Sequence, residues 1–425
     1  MNNSNSTNSL KDGQVDLLII GGGIAGITSA IEAAETGLSV VLIEKNPYIG
    51  GKVAQFNQYF PKLCPPSCGL EINIRRLRTN PSIRLFTMAE VKSVSEQSGS
   101  YKATLKLKPR YVNNQCTVCG DCVKVCPEKR KNEFNYLMDE TTSIFIPYEN
   151  AYPQKYVIDM NTCKGTSCNK CVEVCKYKAI DLNEKEKEIV VEAKSVIWAT
   201  GWEPYDANKL DILGFGKYPD VITNVMMERL AATDGPTQGK ILRPSTSQEV
   251  KSVAFVQCAG SRDNDHLEYC SSICCMASLK QSQYIREQHP DAEIHLHYID
   301  LRSYGLFEDF YNKVQKDEKV HFHRGKVAKV FQDESSDKLI VEAENTLTGN
   351  LMQNAVELVV LATGMEPTVK NLPVDKSLID ASGFFKSNGN GMISCGVNSK
   401  PKDVAGVVQE ATGSVLKAIQ KIKGN

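Results

Sequence analysis

The sequence predicts an α/β fold in which two βαβ units of the dinucleotide-binding kind are interrupted by a cysteine-rich insert. Three observations carry this expectation. At residues 15–44 a G-x-G-x-x-G turn joins an apolar strand to an amphipathic helix and a second strand. A second strand–helix–strand layout recurs at residues 251–300. Between them, at residues 116–175, eight cysteines fall into two closely spaced runs.

Composition narrows the class. The chain has 425 residues, enough for two to three domains of roughly 150 residues each. Its 50 Lys and Arg balance 50 Asp and Glu, so the formal net charge is zero. No basic field argues for nucleic acid and no polybasic stretch for anionic lipid. No apolar run approaches the ~20 residues of a membrane span. The opening MNNSNSTNSLKD is polar and lacks the apolar centre of a signal peptide, so residues 1–14 read as a disordered tail and the protein as cytoplasmic. Fifteen cysteines in that compartment imply metal or redox work rather than a disulfide framework.

The first unit explains itself residue by residue. VDLLII (15–20) is a short buried strand, and Gly21-Gly22-Gly23-Ile24-Ala25-Gly26 opens a helix that runs to about Thr36. Gly21 permits the tight turn, Gly23 lets backbone approach a pyrophosphate, and Gly26 allows close helix–strand packing, with Ala25 between them. The helix N-terminus offers donors to the phosphates. The next strand, SVVLI (39–43), ends at Glu44, placed to hydrogen-bond a ribose hydroxyl, with Lys45 beside it. Gly50-Gly51-Lys52 follows, where flavoproteins with two dinucleotide domains carry a second glycine pair. That favours FAD over NAD.

Two later strands end in near-identical turns, SVIWATGWEP (195–204) and LVVLATGMEP (358–367). Ala199, Thr200 and Gly201 form the first A-T-G turn and Gly364 closes the second. Paired turns of this kind resemble the connections between the FAD and pyridine-nucleotide domains of disulfide-reductase-like flavoproteins. Met392–Gly396 reads as a strand and turn, followed by a helix over 404–421. In the resembled fold that helix points its N-terminus at the flavin, where its dipole stabilises negative charge. Val397 stands where those flavoproteins often carry aspartate.

The cysteine runs are Cys116-x2-Cys119-x2-Cys122-x3-Cys126, followed by Pro127, and Cys163-x4-Cys168-x2-Cys171-x3-Cys175, followed by Lys176. Three thiolates from a tight loop and a fourth given to the neighbouring cluster is the ferredoxin pattern, so two [4Fe–4S] clusters are expected here. Paired C-x2-C units also build zinc ribbons, but zinc needs only four ligands and does not ask for the third, x3-spaced cysteine. R-Y-V-N-N-Q-C (110–116) and K-Y-V-I-D-M-N-T-C (155–163) form pseudo-repeats, each read as a short strand leading to its first cysteine. Residues 109–185 are therefore expected to be an insert in the flavin domain, with 127–152 unassigned.

The second unit lacks a glycine-rich phosphate turn. In its place stand Cys258, Cys270, Cys274 and Cys275. Spacing alone leaves two readings open: a third [4Fe–4S] cluster, or inert buried thiols.

QCAGSRD…YCSSICCMASLKQ, the ferredoxin-type insert, AYPQKYVIDMNTC and the ending SKPKDVAGVVQEATGSVLKA together resemble the family of heterodisulfide reductase A-type subunits, from residue 15 onward. The resemblance implies FAD, ferredoxin-type clusters and an unusual cluster on Cys258, Cys270, Cys274 and Cys275. Within the family, FPKLCPPSCGLEINIRRL (60–77) and the chain length are most similar to the branch found in the quinone-interacting membrane-bound oxidoreductase. That branch implies dissimilatory sulfur metabolism, with electrons passing between a quinone pool and adenylylsulfate reductase. The implied partners are a membrane haem/quinone subunit together with a second flavin/iron–sulfur subunit, which place the chain on the inner face of the cytoplasmic membrane. Two further readings follow: a bifurcating subunit, or a stand-alone NAD(P)H-dependent disulfide reductase.

The last reading turns on Cys64 and Cys68, which lie soon after Gly51. Three roles stay open for them: a redox dithiol, a cluster or partner contact, and structural thiols. Cys395 reads as packing. His295 with His297, and His321 with His323, alternate on strands and read as satisfied faces. Arg262 and Asp263 read as an ion pair, either tuning a cluster or capping a turn.

The expected organisation is an α/β, two-dinucleotide-binding-domain (disulfide-reductase-like) flavoprotein with an inserted 2[4Fe–4S] ferredoxin-like domain. Its FAD-binding parts are residues 15–108, 186–250 and 363–425, and a degenerate NAD(P)-type domain spans 251–362.

Overall fold

The computed structural model describes residues 13–60 and 62–424. Most of the expected tail lies outside the described residues, and Gln14 already belongs to the first strand.

The first domain is built on a seven-stranded sheet. Strands Gln14–Ile20, Val40–Glu44 and Ile83–Thr87 run parallel, with Leu17 opposite Val40 and Val40 opposite Ile83. Lys187–Trp198 pairs parallel to Gln14–Ile20 on its other side, and Met392–Ser394 pairs with its end. Leu17, Leu18 and Ile19 are fully buried, which is why this strand reads as a continuous apolar run: a parallel strand is covered on both faces. Helices Ile24–Glu35 and Val404–Lys423 pack together over one face, sharing a core with Leu17, Ile27, Ala411 and Val415.

The second domain carries a five-stranded parallel sheet in the order Val221–Thr223, Leu358–Thr363, Ser252–Ala259, Glu293–Tyr298, Val320–Arg324. One face packs on helix Cys274–Gln288 through Phe255, Met276 and Leu279. The other packs on a three-stranded antiparallel sheet through Ala254, Val256 and Val341. The two A-T-G turns meet: Trp202–Pro204 pairs antiparallel with Met365–Pro367, which joins the domains.

Strands Ser100–Leu107 and Lys187–Trp198 pair antiparallel, and the insert leaves the first domain between them. Short helices Asp121–Val125 and Lys170–Val174 follow the cysteine loops. The second pseudo-repeat starts with strand Val157–Ile158, whereas the first forms only a single bridge, Val112 to Ile180. The stretch the sequence left unassigned folds into hairpins and an aromatic cluster. Phe134 and Tyr148 stack at 5.0 Å and both pack edge-on against Tyr48 of the first domain.

Candidate functional site

An open cleft enclosing about 1280 Å³ of empty space lies where the two domains and the C-terminal helix meet. Gly21, Gly23, Ala25, Glu44, Lys45, Gly51, Lys52, Ala199, Thr200 and Gly201 all line it. Gly21 takes φ +109°, a left-handed turn that side chains resist, and a Cβ there would stand 2.3 Å from the Ala199 carbonyl oxygen. A Cβ on Gly23 would meet nothing closer than 3.9 Å, so that backbone is open to the cleft. Gly23 also caps helix Ile24–Glu35 without a side-chain acceptor, which leaves first-turn N–H groups for an anion. These residues fit a dinucleotide pyrophosphate.

Three expected residues sit elsewhere. Gly26 lies behind the turn, where a Cβ would be 1.8 Å from the Gly21 carbonyl oxygen. Gly364 is outside the cleft lining, and a Cβ there would be 2.4 Å from Ser261 Oγ, in the loop of the third cysteine set. Gly396 is flanked by Cys395 and Val397, which do line the cleft, while its own N–H donates to Glu410 at 2.6 Å. The glycine pattern marks tight turns, but it does not say which domain a turn packs against.

Glu44 is buried and braced. One carboxylate oxygen accepts from the Gly22 N–H at 2.7 Å and the other from the Asn46 N–H at 2.8 Å. Burial raises its pKa, and the two backbone donors oppose that rise. Lys45 and Lys52 both reach Glu203, beyond the first A-T-G turn. Asp403 caps the C-terminal helix by accepting from the Gly406 N–H at 2.7 Å, and lines the cleft together with Val404. An acid thus stands in the cleft lining six residues after Val397.

Sequence reasoning missed the far wall. There Lys280 and Glu228 form an ion pair at 2.8 Å, their side chains 5% and 3% exposed. Gln281 Nε2 donates to the same carboxylate at 2.7 Å, the Asn57 N–H at 3.1 Å and Tyr284 at 3.3 Å. A lysine on the buried face of helix Cys274–Gln288 was the available signal.

The insert brings its cysteines together with a crossover. Cys116, Cys119 and Cys122 line one cavity with Cys175, and Cys163, Cys168 and Cys171 line a second with Cys126. Among the described residues no three His, Cys, Asp or Glu side chains converge on a single-ion site. Thiolates around one zinc at 2.3 Å would sit ~3.8 Å apart. The donor sets and the crossover fit a ferredoxin pair of cubanes. Burial pushes Cys122 up to about 12 and Cys171 up to about 11, so both stay neutral thiols unless a metal centre displaces their protons.

In the second domain Cys258, Cys274 and Cys275 are buried, and Cys270 is half-buried beside them. Burial, then neighbouring thiols, push Cys258 up to about 11 and Cys274 well above its usual value. This set abuts the cleft: Ile273 and Ala277 line it, and Cys274 Sγ donates to the Thr363 carbonyl at 3.7 Å.

The remaining candidates separate. Cys64 and Cys68 are free thiols outside the cleft lining. A hydrogen bond to Cys64, with burial second, pushes Tyr59 up to about 12. Cys395 is buried, 3.9 Å from Ser29 Oγ. The two histidine pairs lie in register on adjacent strands and form one column, with ring centroids 5.1, 5.2 and 4.9 Å apart. Arg262 and Asp263 do not pair with each other: Arg262 pairs with Asp300, and Asp263 with Lys326 at 2.6 Å. The loop turns at Arg262, φ +56°, which sends consecutive side chains to different partners.

Residues 16–202 match the family model described as FAD dependent oxidoreductase. The chain is 43% identical over 357 residues to the A-type subunit of the ferredoxin/F(420)H(2)-dependent CoB-CoM heterodisulfide reductase of Methanosarcina acetivorans, covering 83% of this chain and 44% of that protein. It is 37% identical over 416 residues to the iron-sulfur A-type subunit of the CoB–CoM heterodisulfide reductase of Methanocaldococcus jannaschii, covering 93% and 63%. The chain thus spans about half to two thirds of the length of these relatives. Thioredoxin reductases share the fold. That of Lactococcus lactis superposes with a TM-score of 0.54 at 13% identity, covering 97% of this chain and 100% of that one. That of T. acidophilum gives 0.52 at 13% identity, covering 97% and 99%. Sequence and fold agree on an FAD-dependent oxidoreductase with a two-dinucleotide-domain scaffold, whose relatives over most of this chain's length are heterodisulfide reductase A-type subunits.

Proposed function

We propose that the protein is an electron-transfer subunit, carrying FAD in the cleft, two [4Fe–4S] clusters in the insert and a third on Cys258, Cys270, Cys274 and Cys275. The observation that carries this reading is the place of Cys274: its helix neighbours Ile273 and Ala277 form part of the cleft wall. Thiol set and cleft therefore share one wall.

When bound, the flavin exchanges electron pairs and the clusters carry single electrons. The protein's own share is positional. The Gly21–Gly23 turn and the first turn of helix Ile24–Glu35 hold the pyrophosphate, and Glu44 holds a ribose hydroxyl. The N-terminus of helix Val404–Lys423 favours negative charge in the cleft. The buried Glu228–Lys280 pair forms part of the far wall. The aromatic group of Tyr48, Phe134 and Tyr148 ties the insert to the cleft through Tyr48, which lines it.

The partners follow from the resemblance: adenylylsulfate reductase as the electron partner in dissimilatory sulfur metabolism, and within the complex a membrane haem/quinone subunit together with a second flavin/iron–sulfur subunit. The relatives' designation as subunits supports an assembly. No helix among the described residues is long and apolar enough to cross a membrane, so the proposed quinone contact falls to the partner. The chain then sits in the cytoplasm, held peripherally at the membrane.

Iron, sulfide and FAD content of anaerobically purified protein tests the cofactors: about 12 iron per FAD is expected. Quinol oxidation by the reconstituted complex tests the pathway. Rates that do not depend on adenylylsulfate reductase would sink the sulfur reading, and NADH oxidation by the isolated chain would favour the disulfide-reductase alternative.

A further inference from the structure

The third cysteine set is gripped by a charged clasp. The Arg262 guanidinium pairs with the Asp300 carboxylate, and its charge acts on Cys258, four residues back along the same left-handed loop. The Asp300 carbonyl accepts from Cys275 Sγ at 3.8 Å, and Arg302 stands 3.5 Å from the Asp300 carboxylate. One side chain and one short loop thus act on two of the four thiols. In the insert, backbone N–H groups of Gly165 and Ala179 donate to Cys163 and Cys175 at 3.4 and 3.3 Å, and those donors are neutral.

The loop is held at a cost. Cys258, Arg262 and Ser272 all adopt left-handed backbone, with φ of +56°, +56° and +63°. Non-glycine residues take that conformation where the surroundings over-determine it, and such strain gathers at functional sites. Asp263, the acid adjacent in sequence, is drawn to Lys326, which leaves Arg262 to Cys258 and Asp300.

We infer that Arg262 is a positioning residue that raises the reduction potential of a cluster on Cys258, Cys270, Cys274 and Cys275, with Asp300 limiting the rise. This rests on the proposed third cluster. One electron entering such a four-thiolate assembly adds one negative charge, breaks no bond and takes up no proton. A guanidinium stays charged at every working pH. Its fixed positive charge, held beside the thiol set by Asp300, therefore stabilises the reduced form more than the oxidised form. Asp300 has the opposite sign and offsets part of that field.

The test is a redox titration of anaerobic holoprotein, following cluster signals by electron paramagnetic resonance, in wild type, Arg262→Gln, Arg262→Lys and Asp300→Asn. Arg262→Gln is expected to lower one cluster's midpoint so that reduction at fixed potential falls on the order of tenfold, ~59 mV for a one-electron couple. Arg262→Lys restores much of it, and Asp300→Asn shifts the same signal upward. Unchanged midpoints with about 12 iron per FAD would overturn the role of Arg262 while leaving the third cluster intact. About 8 iron in the wild-type protein would overturn the third cluster itself, and the inference with it. If Arg262→Gln loses iron, Asp300→Asn decides, because it keeps the arginine: no upward shift overturns the inference.

Discussion

Lys280 and Glu228 meet at 2.8 Å in the wall of the flavin cleft, one from helix Cys274–Gln288 and the other from helix Asn224–Ala231. Both are almost wholly buried, so each charge depends on the other and on the donors around it. Lys280→Ala leaves a buried carboxylate with, among the described residues, Gln281, Asn57 and Tyr284 as its remaining partners. A cost of ~3–5 kcal/mol is expected. The double variant Lys280→Met, Glu228→Gln removes both charges and should recover most of that loss. Chemical denaturation of the three proteins measures it, and a double variant no more stable than the single one would show that the pair is not coupled.

The crossover in the insert makes a prediction that counting cysteines along the chain does not. Cys175 lines the cavity of Cys116, Cys119 and Cys122. Cys116→Ala with Cys175→Ala should therefore lose one cluster, about 4 iron, because both residues serve the same site. Cys116→Ala with Cys126→Ala should lose two clusters, about 8 iron, although both residues lie in the same run. Equal iron loss in the two double variants would reject the crossed arrangement.

Gly23 and Gly26 should fail differently. Alanine at Gly26 sets its Cβ 1.8 Å from a backbone oxygen, which no rotamer relieves. Reduced stability, by ~1–3 kcal/mol or more, is expected together with FAD loss. Alanine at Gly23 has room within the protein itself and should fold with a near-native melting temperature while binding FAD less tightly. Thermal melts and flavin content, measured together, separate the two effects.

The histidine column gives the second domain an acid sensitivity. Burial, then the neighbouring imidazoles, hold His295 at about 4 and His297 at about 3. Both values lie below the ordinary ~6.5 of the unfolded chain. Between those limits the unfolded state binds more protons than the folded state, so stability rises with pH. Stability should fall as pH drops from about 6.5 toward 3, by at most ~1.4 kcal/mol per pH unit for each histidine. Among the described residues neither ring nitrogen of His297 has a hydrogen-bond partner, so His297→Leu should flatten the slope without breaking a hydrogen bond. Melting temperature against pH for both proteins checks this, and identical slopes would assign the acid sensitivity to other groups.

Much of the architecture was legible because local spacing encodes local geometry. An apolar run, a glycine triplet and a second run bounded by Glu44 specify a βαβ turn, since each glycine answers a steric demand within a few residues. Strand Gln14–Ile20 and helix Ile24–Glu35 follow that pattern closely. Likewise, the ferredoxin-type spacing, with its fourth thiol lent to the neighbour, matches the crossed placement of Cys126 and Cys175.

The sequence by itself determined the paired dinucleotide folds, the cysteine-rich insert and the glycine-turn side of the cleft, because these depend on period and spacing along the chain. Only the tertiary structure decided which distant groups meet. It set Gly364 against the Ser261 loop rather than the cleft, joined Lys280 to Glu228, gave Arg262 to Asp300 in preference to its neighbour Asp263, and stacked two histidine pairs into one column. Those partnerships depend on strand register and on the sign of φ at single turns. A residue's neighbours across a sheet or a loop are fixed by packing, and packing leaves no mark in the spacing of the residues it brings together.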